Sequence, residues 1–594
     1  MQNHTMREPF DLHNKALRDR AVRAARGQAP FDILLTGGLL VDVATGELRP
    51  ADVGFVGPLI ASVHERGGRS DAIRVIDVSG KYIAPGLIDS HMHIESSMVT
   101  PRGYAGIVVP NGVTTICWDP HEIGNVMGLE GVRWAIAASR NLPLRVLVMA
   151  PSCVPSAPGL ELSGADFDAP ELNELLNLPE VIGLAEVMDM RGVLDRGDKM
   201  RRVVDAGLQS GKLVCGHARG LAGSDLQGFA CAGIESDHEI VSGDDLLAKL
   251  RAGFTVELRG SHDYILPEAV TTLRALPRLP ATLTICTDDV FADDLVAYGG
   301  LIDVLRRLIR YGMPALDAIA ATTLHAALRL GRRDLGLVGP GRRADVIVLD
   351  DLSQLNVRHV FASGQHVASD GQLHDDLRPD PVPLPASTMK LEPLREDDFI
   401  LRAPDLIKGT ARMRTIVRPR FTQWGETEAQ VINGKVRVPE GKSLMAVIHR
   451  HARAKPVTKM AIIDDWGEFG GAVATTVSHD SHNLTIFGRE AEDMAAAANA
   501  LIACGGGMAV AARGHVEAEL ALPVCGLVSP QTAQDVAHSF TKLRKATDQI
   551  AQWKPPLRVF KALVGASLAC NPGPHLTDRG LTDGTTGEIF DPFF

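Results

Sequence analysis

The sequence predicts an α/β protein: a (β/α)8, TIM-like barrel carrying a split β-sandwich domain, with an additional C-terminal α+β domain. Three observations predict it. Between residues 83 and 335, eight short apolar strand candidates alternate with amphipathic stretches, and eight β/α units in roughly 250 residues is the size of such a barrel. Glycine-broken β texture lies on both sides of that stretch. A proline-rich segment then sets off the last 200 or so residues, whose pattern is mixed.

Length and composition set the frame. At 594 residues the chain exceeds what one core organises, so about three domains are expected. Hydrophobic residues at 45% and charged residues at 22% are the balance of a soluble globular protein. A net charge of -11 argues against a nucleic-acid binder, which would carry a basic excess. No apolar run approaches the ~20 residues that span a bilayer, and the polar, arginine-rich start lacks a signal-peptide core, so no membrane association is expected. The eight cysteines stand singly, with no CxxC, as in a cytoplasmic protein with reduced thiols. That spacing also excludes cysteine-rich zinc sites.

In chain order, residues 1–30 form a charged N-terminal arm. Residues 31–82 (FDILLTGGLLVDV, ADVGFVGPLIASV, AIRVIDVSG) read as short strands. ADVIVLD at 344–350 and VRHVFASGQHV at 357–367 match them, so 31–82 and 336–375 are expected to pair as one sandwich split by an inserted barrel at 83–335. The barrel strands are expected at 83–89, 112–119, 145–151, 181–187, 212–218, 233–239, 254–260 and 282–288, with GLEGVRWAIAASR, DKMRRVVDAGLQS and DDLLAKLRAG as helices between them. Prolines at 379, 381, 383 and 385 mark a semi-rigid linker over 376–394. Residues 395–594 follow, with strands near RTIVRP, LMAVIHRH, GAVATTV and LTIFG and helices at 490–503 and 531–549. Gly505 to Gly507 read as a turn, because the lysine and hydroxyl of a phosphate loop are missing.

The chemistry centres on YIAPGLIDSHMHIESSM, residues 82–98. His91 and His93 are two residues apart at a strand end, so both imidazoles point to one side and can share an ion. Other strand ends carry matching groups: Asp119 and His121 after strand two, Glu186 at strand four, His217 at five, His238 at six and Asp288 at eight. A lone histidine at a strand end is usually structural. Four histidines and two carboxylates at one barrel rim, where such barrels place their active sites, define a metal site instead. Six ligands with one central carboxylate suit two divalent ions: His91, His93 and Asp288 on one, His217 and His238 on the other, with Glu186 and a hydroxide between. Asp288 could then take the hydroxide's proton and pass it to a leaving group.

These motifs resemble the amidohydrolase superfamily, whose members hydrolyse C–N, C–O or P–O bonds in a barrel flanked by a split sandwich. Many members bridge their metals with a carbamylated lysine at strand four, where this chain has Glu186. PGLIDSHMHIESSM, GVTTICWDPHEIGNV, LAEVMDMRGV, GHARGLAGSDLQGFACAGIESDHE, TDD and VSHDSHNLTIFG resemble the bacterial adenine deaminases more closely, from about residue 31 to the C-terminus. The resemblance implies hydrolysis of adenine to hypoxanthine and ammonia, a small-molecule purine substrate, manganese or ferrous iron as the metal, and a homodimer or larger assembly. Zinc also suits the ligands. GHARG and RGSHDYIL depart from that family's pattern, so Arg219, His262 and Asp263 are expected to shape the pocket.

In the DPHE turn, Glu122 or His121 could donate to a purine ring nitrogen, with Asp119 in contact with substrate; support of His91 and His93 from behind is the alternative. Glu95 and Ser96 are candidates for a loop over the pocket. His479 and His482 in SHDSHN are expected to face the barrel mouth. Two other functions compete: hydrolysis of another cyclic amidine or amide, and a silent barrel used as a scaffold. Loss of ligands would mark the scaffold, and the sequence keeps them all.

Overall fold

The computed structural model describes residues 10–374, 382–553 and 559–594. The first nine residues of the expected arm and residues 376–381 of the expected linker lie outside them.

Eight parallel strands form the central barrel: β1 (Leu87–Met92), β2 (Val113–Trp118), β3 (Arg145–Ala150), β4 (Val181–Val187), β5 (Leu213–Gly216), β6 (Ser236–Asp237), β7 (Thr255–Arg259) and β8 (Leu283–Cys286). They pair in order as a five-stranded and a three-stranded sheet. Two short junctions join these. Glu235 N donates to Val214 O (3.0 Å) between β5 and β6, and Asp288 N donates to His91 O (3.1 Å) between β8 and β1. The strands are almost wholly buried because both faces are covered, the inner by the barrel core and the outer by helices.

β6 is only two residues long, and side chains replace the missing ladder. Asp237 Oδ1 accepts from Ala218 N (2.6 Å) and Glu239 N (3.2 Å). Its Oδ2 lies 2.8 Å from Lys249 Nζ, a fully buried amine that also donates to Glu239 O (2.6 Å). Burial works against the Lys249 charge, but Asp237 and Asp245 outweigh it and raise the amine above its ordinary value.

The expected first barrel strand, 83–89, is two strands. Tyr82–Pro85 pairs antiparallel with Val346–Leu349 in the sandwich, and the chain enters the barrel only after Gly86. Gly86 is required there: a Cβ would stand 2.3 Å from Thr114 Oγ1. The sandwich packs a four-stranded sheet from Phe31–Thr36, Asp52–Val56, Leu59–His64 and Ala72–Asp77 against a seven-stranded sheet that takes in both flanks of the barrel. Leu35, Phe55, Ile83, Val346 and Phe361 share its core. Helix Lys15–Ala25 lies against this sandwich, with Ala21 and Ala24 packed on Phe31 and Leu59.

The C-terminal domain holds a nine-stranded sheet with helices Ala491–Cys504 and Ala533–Ile550. It is not an appendage. One hydrophobic cluster runs from Met92 and Trp118 in the barrel to Met445, Phe487 and Phe540 in this domain. Arg544 pins the joint, at 2.6 Å from Asp293 and stacked on Phe540. Among the described residues no helix is long and apolar enough to cross a membrane.

Candidate active site

The strand ends deliver the floor of the site. His91 ends one turn of the β1 pleat and His93 follows Met92, so both rings face the barrel axis; their centroids stand 4.9 Å apart. His93 Nδ1 donates to Asp119 O (3.0 Å), which fixes the tautomer and leaves Nε2 as the facing atom. His93 Nε2 lies 3.4 Å from both Glu186 Oε1 and Asp288 Oδ1, and His91 Nε2 lies 3.6 Å from the same two oxygens. Glu186 Oε2 meets His217 Nδ1 at 2.8 Å and His238 Nε2 at 3.2 Å. All six expected ligands are thus buried side by side, with Glu186 between the two groups.

Several of these spacings are too long for hydrogen bonds. Two donors each ~2.1 Å from one tetrahedral ion stand roughly 3.4 Å apart, which is the separation found here. The Nε2 atoms of His91 and His217 are buried without a hydrogen-bond partner. Lone pairs left in this way cost free energy unless something binds them, so the donor set fits divalent cations.

Electrostatics hold the carboxylates ionised. Burial pushes Glu186 up, but His238, His217 and His93 outweigh it and hold it well below the usual carboxylate range. Burial likewise opposes ionisation of Asp288; Arg259 leads the groups that overcome it. Arg259 Nη1 (2.7 Å) and Ser261 Oγ (2.7 Å) both bond Asp288 Oδ2, which leaves Oδ1 toward the histidines. Asp288 itself has φ 59°, a left-handed turn that swings its side chain off the end of β8.

The C-terminal domain makes the opposing wall of a cavity of about 80 Å³. His479 and Asp480 reach it from the loop between strands Ala472–Thr475 and Leu484–Gly488, and Asp480 Oδ1 lies 3.5 Å from His121 Nε2. His121 Nδ1 bonds Asp119 Oδ2 at 2.9 Å and stands 3.6 Å from Glu186. His121 therefore borders both floor and wall, at the first turn of helix His121–Ala138.

The other expected contacts divide. Arg219 lines the cavity and pairs with Glu239 at 2.5 Å. Glu95 is buried away from it, taking hydrogen bonds from Trp118 Nε1 (2.7 Å) and Ile123 N (3.2 Å); burial beside Glu122 pushes it up to about 7. Ser96 lies beneath the rim, against Glu122 Oε1 (2.7 Å) and Asp289 Oδ1 (2.6 Å). Glu122 stands behind His479 and His482, 3.9 Å from each. His262 is buried behind Arg259 and Arg420, and Asp263 lines a neighbouring hollow. Glu95, Ser96, Glu122, His262 and His482 thus support the cavity from behind.

Sequence reasoning missed Glu239, Arg259, Arg420, Asp480 and His575, all of which line the cavity. Asp480 had a signal, lying between two histidines already singled out. Glu239 follows His238 directly, and strand alternation would send neighbours to opposite faces. That rule does not hold here, because β6 has ended at Asp237.

A barrel whose C-terminal rim gathers an HxH pair, a strand-four carboxylate, two later histidines and a final aspartate is a metal-dependent amidohydrolase, and residues 82–367 match the amidohydrolase family. Residues 419–588 match the adenine deaminase C-terminal domain. Adenine deaminase 2 of Rhizobium meliloti (strain 1021) is 59% identical over 587 residues, 99% of this chain and 98% of that one. Adenine deaminase of Klebsiella pneumoniae (strain 342) is 54% identical over 98% of this chain and 96% of its own length. That of Methanothrix thermoacetophila is 36% identical over 95% and 97%. The chain belongs to the adenine deaminase family.

Proposed function

We propose that this chain hydrolyses adenine to hypoxanthine and ammonia. The observation that carries the reading is the buried set of histidines and carboxylates around Glu186, closed over by a C-terminal domain of the adenine deaminase type. His91, His93 and Asp288 would hold one divalent ion, and His217 and His238 a second, with Glu186 shared. Two such ions supply an activated water and a polarised C–N centre. Manganese or iron is the expected pair, with zinc as a further fit to imidazole and carboxylate donors.

The chain's own groups do the rest. Asp288 Oδ1 faces the histidines of the floor while Arg259 and Ser261 hold Oδ2, so the carboxylate that would help hold an ion is also placed to take a proton from the attacking water and give it to the departing amino group. His121, oriented by Asp119, stands where a ring nitrogen could be hydrogen-bonded, which makes C6 of the base more electrophilic. The wall formed by His479, Asp480 and their neighbours stands opposite the floor, where it would shield the reaction from water and favour a flat base over a nucleoside. A cytoplasmic setting, a place in purine salvage and a homo-oligomeric state complete the reading; the unpaired cysteines support the first.

Ammonia release from a panel of purines by metal-loaded enzyme tests it. Adenine should be turned over and adenosine should be poorer by at least about a hundredfold. Equal rates on both would overturn the closed pocket. Turnover of a different cyclic amidine alone, with metals bound, would overturn the adenine assignment.

A further inference from the structure

The cavity wall supplied by the C-terminal domain holds two neutral acceptors that the reaction does not use. His575 lies on strand Pro574–Thr577, opposite Thr582 of strand Gly580–Asp583, and is 2% exposed. Its Nδ1 donates to Ala566 O at 3.1 Å, so its Nε2 carries the lone pair. That Nε2 is buried without a hydrogen-bond partner, and His575 lines the cavity. Asn571, four residues earlier, also lines the cavity, and its Oδ1 is likewise buried and unpartnered. Burial, with Arg219 nearby, keeps His575 below its ordinary value and hence neutral near pH 7.

These positions are rigid. Gly584 packs so closely on the Asn571 loop that a Cβ there would lie 2.0 Å from Asn571 O. Thr577 Oγ1 bonds Leu160 O at 2.6 Å, tying the strand to the barrel. Among the carboxylates around the cavity, Glu239 is shared by Arg219 and Arg259, and Asp288 by Arg259 and Ser261. Asp480 Oδ2 is also buried without a partner, but it belongs to an ionised side chain held at His121 and His479, away from the His575 strand.

We infer that His575 Nε2, with Asn571 Oδ1 beside it, accepts the N–H of the five-membered ring of a free purine base and thereby selects bases over nucleosides. The inference rests on the adenine reading above. A free purine placed with its amino group over the histidine–carboxylate floor has one donor left, the imidazole-ring N–H, and otherwise ring nitrogens that accept. Arg219, Arg259 and Arg420 supply donors for those ring nitrogens, so what the base still needs is an acceptor for that N–H. A ribose or methyl group on N9 removes the donor and leaves both buried acceptors unpaired, and sites built on such bonds reject the altered ligand strongly.

The test is steady-state kinetics on adenine and 9-methyladenine with wild type, His575→Ala, His575→Gln and Asn571→Ala, each checked for metal content and folding. Wild type should prefer adenine by at least about a hundredfold in kcat/KM. His575→Ala should raise KM for adenine about tenfold, leave kcat within about threefold and shrink the preference at least about tenfold. His575→Gln, which returns an acceptor near the Nε2 position, should restore most of the preference. If His575→Ala does not fold, the Gln and Asn571→Ala variants decide, with Asn571→Ala expected to weaken the preference severalfold. An unchanged adenine to 9-methyladenine ratio in metal-replete variants would overturn the inference while leaving adenine deamination intact. Absence of adenine turnover by wild type would instead remove the reading on which it rests.

Discussion

The barrel floor and the C-terminal wall build the same cavity by different means. Floor side chains sit at strand ends, where neighbouring strands hold each position: His91 through the bond from Asp288 N, Glu186 through pairing of β4 with β3 and β5. Wall side chains come mostly from loops, His479 and Asp480 from one and Arg420 from another, with His575 on a short strand. Arg420 stands in a segment where Arg418 (φ 65°) and Arg420 (φ 64°) are both left-handed, a conformation that costs on the order of 1 kcal/mol per non-glycine residue. The floor is therefore suited to holding ions and moving a proton, which demand fixed geometry. The wall is suited to shape and choice of substrate. If that division is right, floor substitutions should change metal content or kcat, and wall substitutions should change KM.

The largest effect is expected at the centre of the floor. Glu186→Gln should lose metal and with it nearly all activity, because both ligand groups converge on this carboxylate. Asp288→Asn should keep much of the metal but slow turnover by ~10²–10⁴, the range for loss of a positioned proton-transfer group. Elemental analysis beside kcat separates the two, and normal turnover by Asp288→Asn would remove its proton-transfer role. On the wall, Arg420→Ala should raise KM about tenfold with metal content unchanged, since it removes donors from the cavity and touches none of the six ligands. Loss of metal in that variant would erase the distinction between floor and wall.

The same division explains what the sequence made legible. A strand end advertises itself: apolar residues run up to it, and i, i+2 spacing tells which side chains share a face. Thus His91, His93, Glu186, His217, His238 and Asp288 stand out as candidate ligands in the chain alone, and the structure brings them together. Glu95 and Ser96 looked like a lid because they follow the HxH, yet Trp118 Nε1 and Asp289 bind them below the rim. No periodicity reports where a loop folds back, so Arg420 and His575, about 330 and 480 residues after His91 and at no strand end of the barrel, carried no signal. The split sandwich was legible because its two halves share β texture. The break at Gly86 was legible only in part: 83–88 is one apolar run that reads as a single strand, while the Pro85-Gly86 step in it suits a chain entering the barrel from another layer, and the contact with Thr114 is what requires the glycine.

The proposed deamination depends on two divalent ions on this floor. Titrating metal-free enzyme with manganese or ferrous iron, while reading bound metal by elemental analysis and ammonia release from adenine, tests it directly. Activity should rise until close to two equivalents are bound per chain and then level off. Full activity at one tightly bound equivalent would contradict the shared role given to Glu186, and with it the account of the floor.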